Sequence, residues 1–360
     1  MDITLEKIKS ISHDILADLV YAQIDSNHVL YEKVEKTLLK SDPKALVKSI
    51  KKDIGSIRRG RKFIDYHEAF DFADKVQNIV DDILMMVDDE KVASTLIKEL
   101  ILTDSNVYLR SDDSAGVIQI SYGNAEGAWT GYLGMLSDEE IYADIIEMLV
   151  CEGFGVRSVF SDKIPKNVLE KIYDEFYAKC EGRNGETYDN FDDIHVLHLC
   201  SHFLKKPELY IKASQFNGRE IQESDFLDYA QEYKYAEDAQ GVIDTLGQIK
   251  FVDEYKANNF YELQVWAYEV LKQSMNITLA YKNWYSKTKS PKVLKSYLSR
   301  LDGVMKKQVR EEALSEAKKR SFSDAMQFFH SLDEAELASE YIWGHPVSYT
   351  HLTLPTICSV

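Results

Sequence analysis

Residues 54 to 89 carry apolar side chains at intervals of three and four, and no other feature of the chain constrains its fold so strongly. This spacing places the apolar groups on one face of an α-helix, and that face must pack against another element. The side chains predicted to be buried are Tyr66, Ala69, Phe70, Ala73, Val76, Val80, Ile83, Leu84 and Val87. The carboxylates predicted to face water are Asp71, Asp74, Asp81 and Asp82. Asp65 and Glu68 are predicted to cap the start of the helix. Truncation of Phe70 to Ala is expected to cost about 3 to 5 kcal/mol, because a buried aromatic group would be lost.

The same periodicity recurs along most of the chain and predicts an all-α protein. Only six prolines occur in 360 residues, which favours long helices over a β protein with many turns. Asp42 followed by proline predicts a helix start, and Ser137 with Glu140 predicts a capping box. Residues 103 to 136 are harder to assign, because Val117 to Ser121 alternates like a β-strand. We predict an interrupted helix there, since an isolated strand pair would be marginally stable in water.

Weak internal similarity favours a repeat architecture. Residues 251 to 263 and 313 to 325 share the pattern E-x-K-x-x-x-F-x-[ED] at an offset of 62 residues, roughly twice the ~34-residue period of a helical-hairpin repeat. The matching pairs are Glu254 with Glu316, Lys256 with Lys318, and Phe260 with Phe322. Residues 229 to 234 also resemble residues 251 to 256. Because one hairpin cannot bury its own apolar side, we predict an α-solenoid of stacked antiparallel helical hairpins, similar to tetratricopeptide repeats.

The clearest loop of the chain separates two predicted helical regions. Residues 182 to 190 are rich in Gly, Asn and Asp, which favour turns. We therefore expect an N-terminal helical region at residues 1 to 181 and a C-terminal helical-repeat region at residues 191 to 344. Residues 345 to 360 contain the string PVSYTHLTLPT, which resembles the translation of a transposon-type sequencing adapter. This tail is treated as non-native, and the natural chain is expected to be cut off after about Gly344.

The composition is acidic, with a net charge of −17 and a sequence pI near 5.0. Such a charge argues against general binding to phosphate backbones. No run of eighteen apolar residues and no signal-like N-terminus is present, so we expect a cytoplasmic protein without a membrane contact. The four cysteines, at positions 151, 180, 200 and 358, form no C-x-x-C pair. Reduced and mostly buried thiols are therefore expected.

One short segment reverses the acidic balance and is a candidate binding site. Between residues 48 and 62 a single acid, Asp53, accompanies a basic patch of seven residues. The patch consists of Lys48, Lys51, Lys52, Arg58, Arg59, Arg61 and Lys62. Such a patch can dock nucleic acid, a phosphate or an acidic partner. The favoured alternative is a solvated surface whose cations pair with the surplus carboxylates of the protein itself.

Three histidines form the other candidate site. His195, His198 and His202 share one predicted helix face, with Cys200 nearby, and neutral imidazoles at this spacing can hold a transition metal. The H-E-x-x-H motif is absent, so histidines on a polar face are the favoured interpretation. The chain also has no phosphate-binding P-loop, dinucleotide-binding glycine motif or G-x-S-x-G elbow. We therefore predict no cofactor, no metal site and no catalytic residue.

The segment GSIRRGRKFIDYHEAFDFAD, Gly55 to Asp74, together with the helices after it, resembles a bacterial protein family of uncharacterised role. Proteins of that family are built of tetratricopeptide-like helical repeats and often carry an N-terminal zinc finger of the SWIM type. The resemblance spans most of residues 40 to 344 and implies a helical-repeat fold. The C-x-C and C-x-H zinc ligands of a SWIM finger are absent here, so it implies neither zinc binding nor the nucleic-acid contact inferred from such fingers.

Three functions are compatible with these features. The favoured hypothesis is a non-catalytic scaffold of the bacterial cytoplasm, whose hairpin array holds a segment of a protein partner. The alternative is a nucleic-acid-associated accessory protein that uses the basic patch at residues 48 to 62. A metal-dependent enzyme built around His198 is the third and least favoured.

Overall fold

The computed structural model describes residues 4 to 150, 158 to 182 and 191 to 344, and within these ranges the protein is all-helical. An isolated β-bridge between Ile64 and Ser111 and two short 3₁₀ turns are the other regular features of the described chain. The predicted tail at residues 345 to 360 lies outside the described residues, as does Cys151. No helix in the described ranges combines the length and the apolarity needed to cross a bilayer.

The chain divides into two compact units. Unit 1 contains the described residues up to 182 together with Asp192–Leu204, and unit 2 contains Phe191 and the described residues from Lys205 onward. The helices of unit 1 are α1 (Leu5–Lys9), α2 (His13–Ile24), α3 (His28–Leu39), α4 (Pro43–Arg59), α5 (Glu68–Met86), α6 (Glu90–Ile101), α7 (Asp104–Tyr108), α8 (Val117–Thr130), α9 (Asp138–Val150), α10 (Lys166–Gly182) and α11 (Phe191–Leu204). The helices of unit 2 are α12 (Pro207–Ser214), α13 (Asp225–Tyr235), α14 (Ala239–Leu246), α15 (Glu254–Val270), α16 (Ser274–Thr288), α17 (Pro291–Ser299), α18 (Gly303–Ala317), α19 (Phe322–Ser331) and α20 (Ala335–Trp343).

The division between the units differs from the predicted one by a helix. The sequence predicts that residues 191 to 204 begin the C-terminal region, but Asp192–Leu204 belongs to unit 1. The predicted boundary loop lies almost entirely outside the described residues. Turn-forming composition marks a connection between helices, and it does not reveal to which core the next helix contributes its apolar face.

Helix α5 is the central helix of unit 1, and it contacts α4, α6 and α8. The predicted residues that are buried are Ala69, Ala73, Val76, Val80 and Ile83. The prediction is wrong for Tyr66, Phe70 and Leu84, which are 43%, 46% and 49% exposed. The large expected cost of Phe70→Ala therefore loses its basis, because the ring is already half in water.

Helix α5 also buries a carboxylate that was predicted to face water. Asp82, predicted to face water, is 4% exposed and accepts a hydrogen bond of 2.6 Å from Lys36 Nζ of α3. Lys36 Nζ also lies 2.7 Å from Asp53 Oδ2 of α4. This triad joins three helices. Burial lowers the pKa of Lys36, but the hydrogen bonds and charges of the two aspartates outweigh that effect, and the pKa is raised above 10.5.

Local sequence signals fix several helix starts as predicted. Asp42 Oδ1 accepts a hydrogen bond from the backbone N–H of Ala45 at 3.2 Å, which caps α4. The capping box is confirmed, since Ser137 N donates to Glu140 Oε2 at 2.7 Å and Glu140 N donates to Ser137 Oγ at 3.3 Å. The strand-like segment from Val117 lies within α8, as predicted. An isolated alternating run has no partner strand, so helix packing decides its structure.

In unit 2, each helix makes its main contacts with the next helix in the chain. The other main contacts join α13 with α15 and α17 with α19. The buried side chains follow the same order. One cluster contains Ala230, Val242 and Ala257 of α13 to α15. Another contains Leu294 and Phe328 together with other residues of α16 to α19.

Three hairpins of unit 2 share one turn geometry. Glu237, Lys272 and Asp333 have positive φ angles of 64°, 57° and 61°, and each follows the first helix of a pair. At the first of these turns Asp238 N donates to the Tyr233 carbonyl at 2.9 Å and Glu237 N donates to the Lys234 carbonyl at 3.0 Å. The same two bonds recur at the other two turns, so all three are Schellman motifs.

The aligned sequence segments do not coincide with these hairpins. Glu254 and Phe260 both lie in α15, whereas Glu316 lies near the end of α18 and Phe322 begins α19. The pairing of the two segments is therefore wrong as a structural alignment. The turns, at 237 and 272, are 35 residues apart, close to the predicted hairpin period.

Candidate interaction surfaces

The basic patch predicted from the sequence lies on α4 and the segment that follows it. All seven basic side chains are exposed. The opposite face of α4 is buried and consists of Leu46, Ile50, Ile54 and Ile57. The sequence folds this way because these four residues recur every three or four positions, and the lysines and arginines lie between them.

Three members of the patch are engaged within unit 1. Lys51 Nζ forms an ion pair with Glu99 Oε1 of α6 at 2.7 Å, and Arg58 donates to the Glu99 carbonyl at 3.2 Å. Lys62 forms an ion pair with Glu68, whose hydrogen bond and charge raise the pKa of the lysine. The two ion pairs agree with the alternative in which patch cations pair with the carboxylates of the protein, whereas Arg58 contacts a main-chain carbonyl. Exposed pairs of this kind contribute little to stability.

The remaining cations of α4 lie together on its solvent face. The helical period places Lys48, Lys52 and Arg59 on one side, opposite the buried isoleucines, and Lys44 extends the row by one turn. We call these four residues the basic stripe. Within the described part of the chain none of them forms an ion pair. The acid inside the patch, Asp53, is directed to Lys36. The stripe spans about 22 Å of helix.

The histidines of α11 do not assemble a metal site with other residues that the structure describes. His195, His198 and His202 are each half-buried. Burial, together with the smaller effect of the neighbouring His195, lowers the pKa of His198 to about 4. His198 is therefore neutral at physiological pH. Across the described ranges no three His, Cys, Asp or Glu side chains are placed to share one ion.

A buried acid in unit 1 has no signal in the sequence. Glu126 of α8 is 3% exposed, and its Oε2 accepts a hydrogen bond from Ser158 N at 2.8 Å. Burial raises the pKa of Glu126 to about 7, and the charge of Asp104 adds to the increase. Nearby, Thr103 donates its hydroxyl to the Leu100 carbonyl at 2.7 Å, so the Tyr122 hydroxyl donates to Thr103 Oγ1, also at 2.7 Å. Thr103, Tyr122 and Glu126 are all buried.

Unit 2 contains an open groove of about 400 Å³ between α12, α13, α14 and the loop before α13. We call it the α13–α14 groove. Its apolar lining consists of Ile211, Ile221, Phe226, Tyr229 and Tyr233. Its polar lining includes Asp238, Gln240, Asp244, Thr245 and Gln248. Its volume lies within the range of about 300 to 1,000 Å³ that is usual for binding pockets.

The close approach of α13 to α14 depends on a glycine. A Cβ atom at Gly241 would lie 2.3 Å from Tyr233 Cδ1, closer than any real Cβ contact. The missing side chain lets the Tyr233 ring lie against the first turn of α14. Asp238 caps this turn, since its Oδ1 accepts from Gly241 N at 2.9 Å.

The loop that forms one wall of the groove is held at both ends. Arg219 donates two hydrogen bonds to the Asp225 carboxylate, at 2.8 and 2.7 Å, and Gln222 N donates to the same group at 2.8 Å. The Arg219 guanidinium lowers the pKa of Asp225. Glu223 Oε1 accepts from Lys250 N beyond α14 at 3.2 Å. Ile221, which is 48% exposed, is thereby held at the groove.

The groove carries an excess of negative charge. Asp238 and Asp244 face it from α14, and neither forms an ion pair with a residue that the structure describes. Burial raises the pKa of Tyr233, and the negative charges of Glu208, Asp238 and Asp244 raise it further. The nearest arginine in the wall loop, Arg219, is neutralised by Asp225.

Searches against protein-family models, curated proteins and solved structures found no match to this chain. The sequence does not predict the α13–α14 groove or the place of Lys44 in the basic stripe, although Phe226, Tyr229 and Tyr233 recur at three- and four-residue steps. That pattern predicts a buried helix face, and it does not show that part of the face stays open to solvent.

Proposed function

We propose that this protein is a non-catalytic interaction scaffold of the bacterial cytoplasm, in which unit 2 is a tetratricopeptide-like α-solenoid. Contacts between consecutive helices support the proposal, because a solenoid is held together by neighbouring repeats. The recurring Schellman turns support it as well. Reduced, buried Cys180 and Cys200 are compatible with a cytoplasmic location.

The α13–α14 groove is the observation that carries the proposal. It is open, it is lined by aromatic rings, and its wall loop is fixed by the Arg219–Asp225 pair before any partner arrives. A preformed groove avoids part of the entropy cost of ordering a loop on binding. We therefore assign this groove to a segment of a partner protein.

Site-specific photo-cross-linking in cells of the source organism tests the proposal. A benzophenone amino acid at Gln248, at the groove, is expected to yield discrete protein adducts. The matched control carries the same amino acid at Gln308, an exposed position of α18. Adducts of the same identity and yield from both positions would contradict the proposal, because they would reflect random encounters.

The basic stripe favours a second candidate function, association with nucleic acid. Lys44, Lys48, Lys52 and Arg59 present uncompensated positive charge along one helix of an acidic protein. A labelled DNA duplex serves as the probe, and fluorescence anisotropy measures its affinity as salt is raised. Lys48→Gln with Lys52→Gln is expected to reduce the slope of log K against log salt by roughly 0.9 per lost phosphate contact. The exposed pair Lys318→Gln with Lys319→Gln is the control, and an equal effect would contradict this candidate.

The third hypothesis, a metal-dependent enzyme around His198, gains no support from the described residues. His198 is half-buried, and no third metal ligand accompanies it and its neighbours there.

A further inference from the structure

We infer that the α13–α14 groove accepts a positively charged, apolar segment of a partner protein, with Lys or Arg side chains directed to Asp238 and Asp244. This inference rests on the proposed scaffold function and adds the chemistry of the partner. It follows from the lining of the groove, from the state of its two carboxylates and from the fixed wall loop.

The lining requires apolar side chains from the partner. Ile211, Ile221 and Phe226 contribute hydrocarbon surface, and Tyr229 and Tyr233 add aromatic rings. Ile221 is 48% exposed although its loop is fixed by Arg219, Asp225 and Glu223. An aliphatic side chain placed against these groups would remove apolar area from water and thereby stabilise the complex.

The two carboxylates require positive charge from the partner. Asp238 Oδ1 accepts from Gly241 N at 2.9 Å, and Asp244 Oδ1 accepts from Gln240 Nε2 at 2.7 Å. These bonds orient the carboxylates without neutralising them. An acidic segment would be repelled here, whereas a lysine or arginine would gain a charge-assisted hydrogen bond.

The net charge of the whole chain also favours a positively charged partner. A net charge of −17 attracts cationic segments from a distance and raises their rate of encounter. Long-range attraction alone would act at every acidic surface of the protein. Variants that change the net charge equally, inside or outside the groove, separate this long-range attraction from binding in the groove.

Isothermal titration calorimetry on the full chain, with synthetic peptides as probes, tests the inference. The first probe is a blocked peptide of alternating arginine and leucine, and the other two carry glutamate or serine in place of arginine. The arginine peptide is expected to bind and to lose affinity as ionic strength rises, because screening weakens contacts between partly exposed charges. The glutamate peptide is expected not to bind.

Two pairs of variants locate the binding. Asp238→Asn with Asp244→Asn keeps the helix cap, because Asn is an equally good cap. This double variant is expected to lower the affinity for the arginine peptide roughly fivefold. The control, Asp302→Asn with Glu312→Gln, removes another helix-capping charge and another carboxylate paired with a glutamine, away from the groove. Ile221→Ser is expected to weaken binding of the arginine peptide, and Val304→Ser, at a more exposed position, is its control.

The outcomes separate this inference from the scaffold function. Equal loss of affinity in both charge variants, equal binding of the serine and arginine peptides, or no detectable binding of the arginine peptide would overturn the inference. Specific photo-adducts at Gln248 together with any of those results would leave the scaffold function standing. If the photo-adducts at Gln248 were also absent, both the inference and the scaffold function would be contradicted.

Discussion

At the scale of single residues, buried charge decides how unit 1 packs. Asp82 lies on the buried side of α5, where Lys36 Nζ donates to it at 2.6 Å, whereas Phe70 is half-exposed. The apolar spacing alone predicts that the Phe70 ring is buried. The sequence does not show that Lys36, 46 positions before Asp82, supplies the charge that compensates this buried carboxylate.

Replacement of Lys36 tests this arrangement. Lys36→Ala is expected to destabilise the protein by about 3 to 5 kcal/mol, because Asp82 would remain buried without its partner. Urea denaturation measures the change, and Lys33→Ala on the exposed side of α3 is the control. Since the pKa of Lys36 is raised on folding, the stabilisation is present below pH 10.5 and is lost as the pH rises through the higher folded value. A loss below about 1 kcal/mol would contradict the role of the triad.

Because Glu126 is buried, the stability of the protein is expected to fall as the pH rises. A carboxylate whose pKa is lowered on folding has the opposite effect. The pKa of Glu126 rises from 4.5 to about 7 on folding, so the folded state holds the proton more tightly. Stability is therefore expected to fall as the pH rises above 4.5 and to level off above about 7, with a total change of about 3 kcal/mol.

Glu126→Gln isolates this contribution. The amide oxygen can still accept from Ser158 N, and no charge is buried at high pH. Denaturant melts between pH 4 and pH 8 are expected to show the variant gaining stability over the natural chain as the pH rises. Glu139→Gln, at an exposed position, should leave the pH profile unchanged. Parallel profiles for Glu126→Gln and the natural chain would rule out a buried charge at this position.

At the scale of helices, the sequence predicts what depends on neighbours in the chain. The cap at Asp42, the capping box at Ser137 and the helical state of α8 are predicted from local residues and are confirmed. The facing of α5 depends on distant contacts, and its prediction was wrong for Tyr66, Phe70 and Leu84. The place of Asp192–Leu204 in unit 1 depends on distant contacts as well and differs from the predicted boundary. The basic patch is predicted as a run of residues. Only the structure shows that Lys51, Arg58 and Lys62 are engaged and that Lys48, Lys52 and Arg59 belong to the basic stripe, and Arg61 lies beyond the end of α4.

Two glycines in helices predict opposite effects of the same substitution. Gly241→Ala is expected to destabilise the protein, because the new Cβ would meet the Tyr233 ring at 2.3 Å and the hairpin must shift. Gly127→Ala in α8 has no atom within 4 Å of its Cβ and is expected to stabilise the protein by about 0.5 to 1 kcal/mol. Chemical denaturation of both variants measures whether each substitution raises or lowers the free energy of unfolding. Stabilisation by Gly241→Ala would show that Tyr233 does not occupy this position in solution.

At the scale of the whole molecule, the proposed solenoid predicts local rather than global opening within unit 2. Val242 lies in the buried cluster of α13 to α15 and Phe328 in that of α16 to α19, and the partly buried Trp284 packs against both. In an array held by neighbouring repeats, a defect destabilises its own repeat and the adjacent ones most. Phe328→Ala, at a position 1% exposed, is therefore expected to accelerate amide hydrogen exchange mainly in α17 to α20.

Val242→Ala is the matched substitution in the other cluster, at a position that is 0% exposed. It is expected to accelerate exchange mainly in α13 to α15, and mass spectrometry of peptic fragments resolves the two regions. The two patterns should be complementary, because each truncation removes contacts from a different cluster. If Phe328→Ala instead accelerated exchange equally in α13 and α19, unit 2 would open as one cooperative core. Every core substitution would then affect the α13–α14 groove to the same extent, and the α-solenoid proposed for unit 2 would be contradicted.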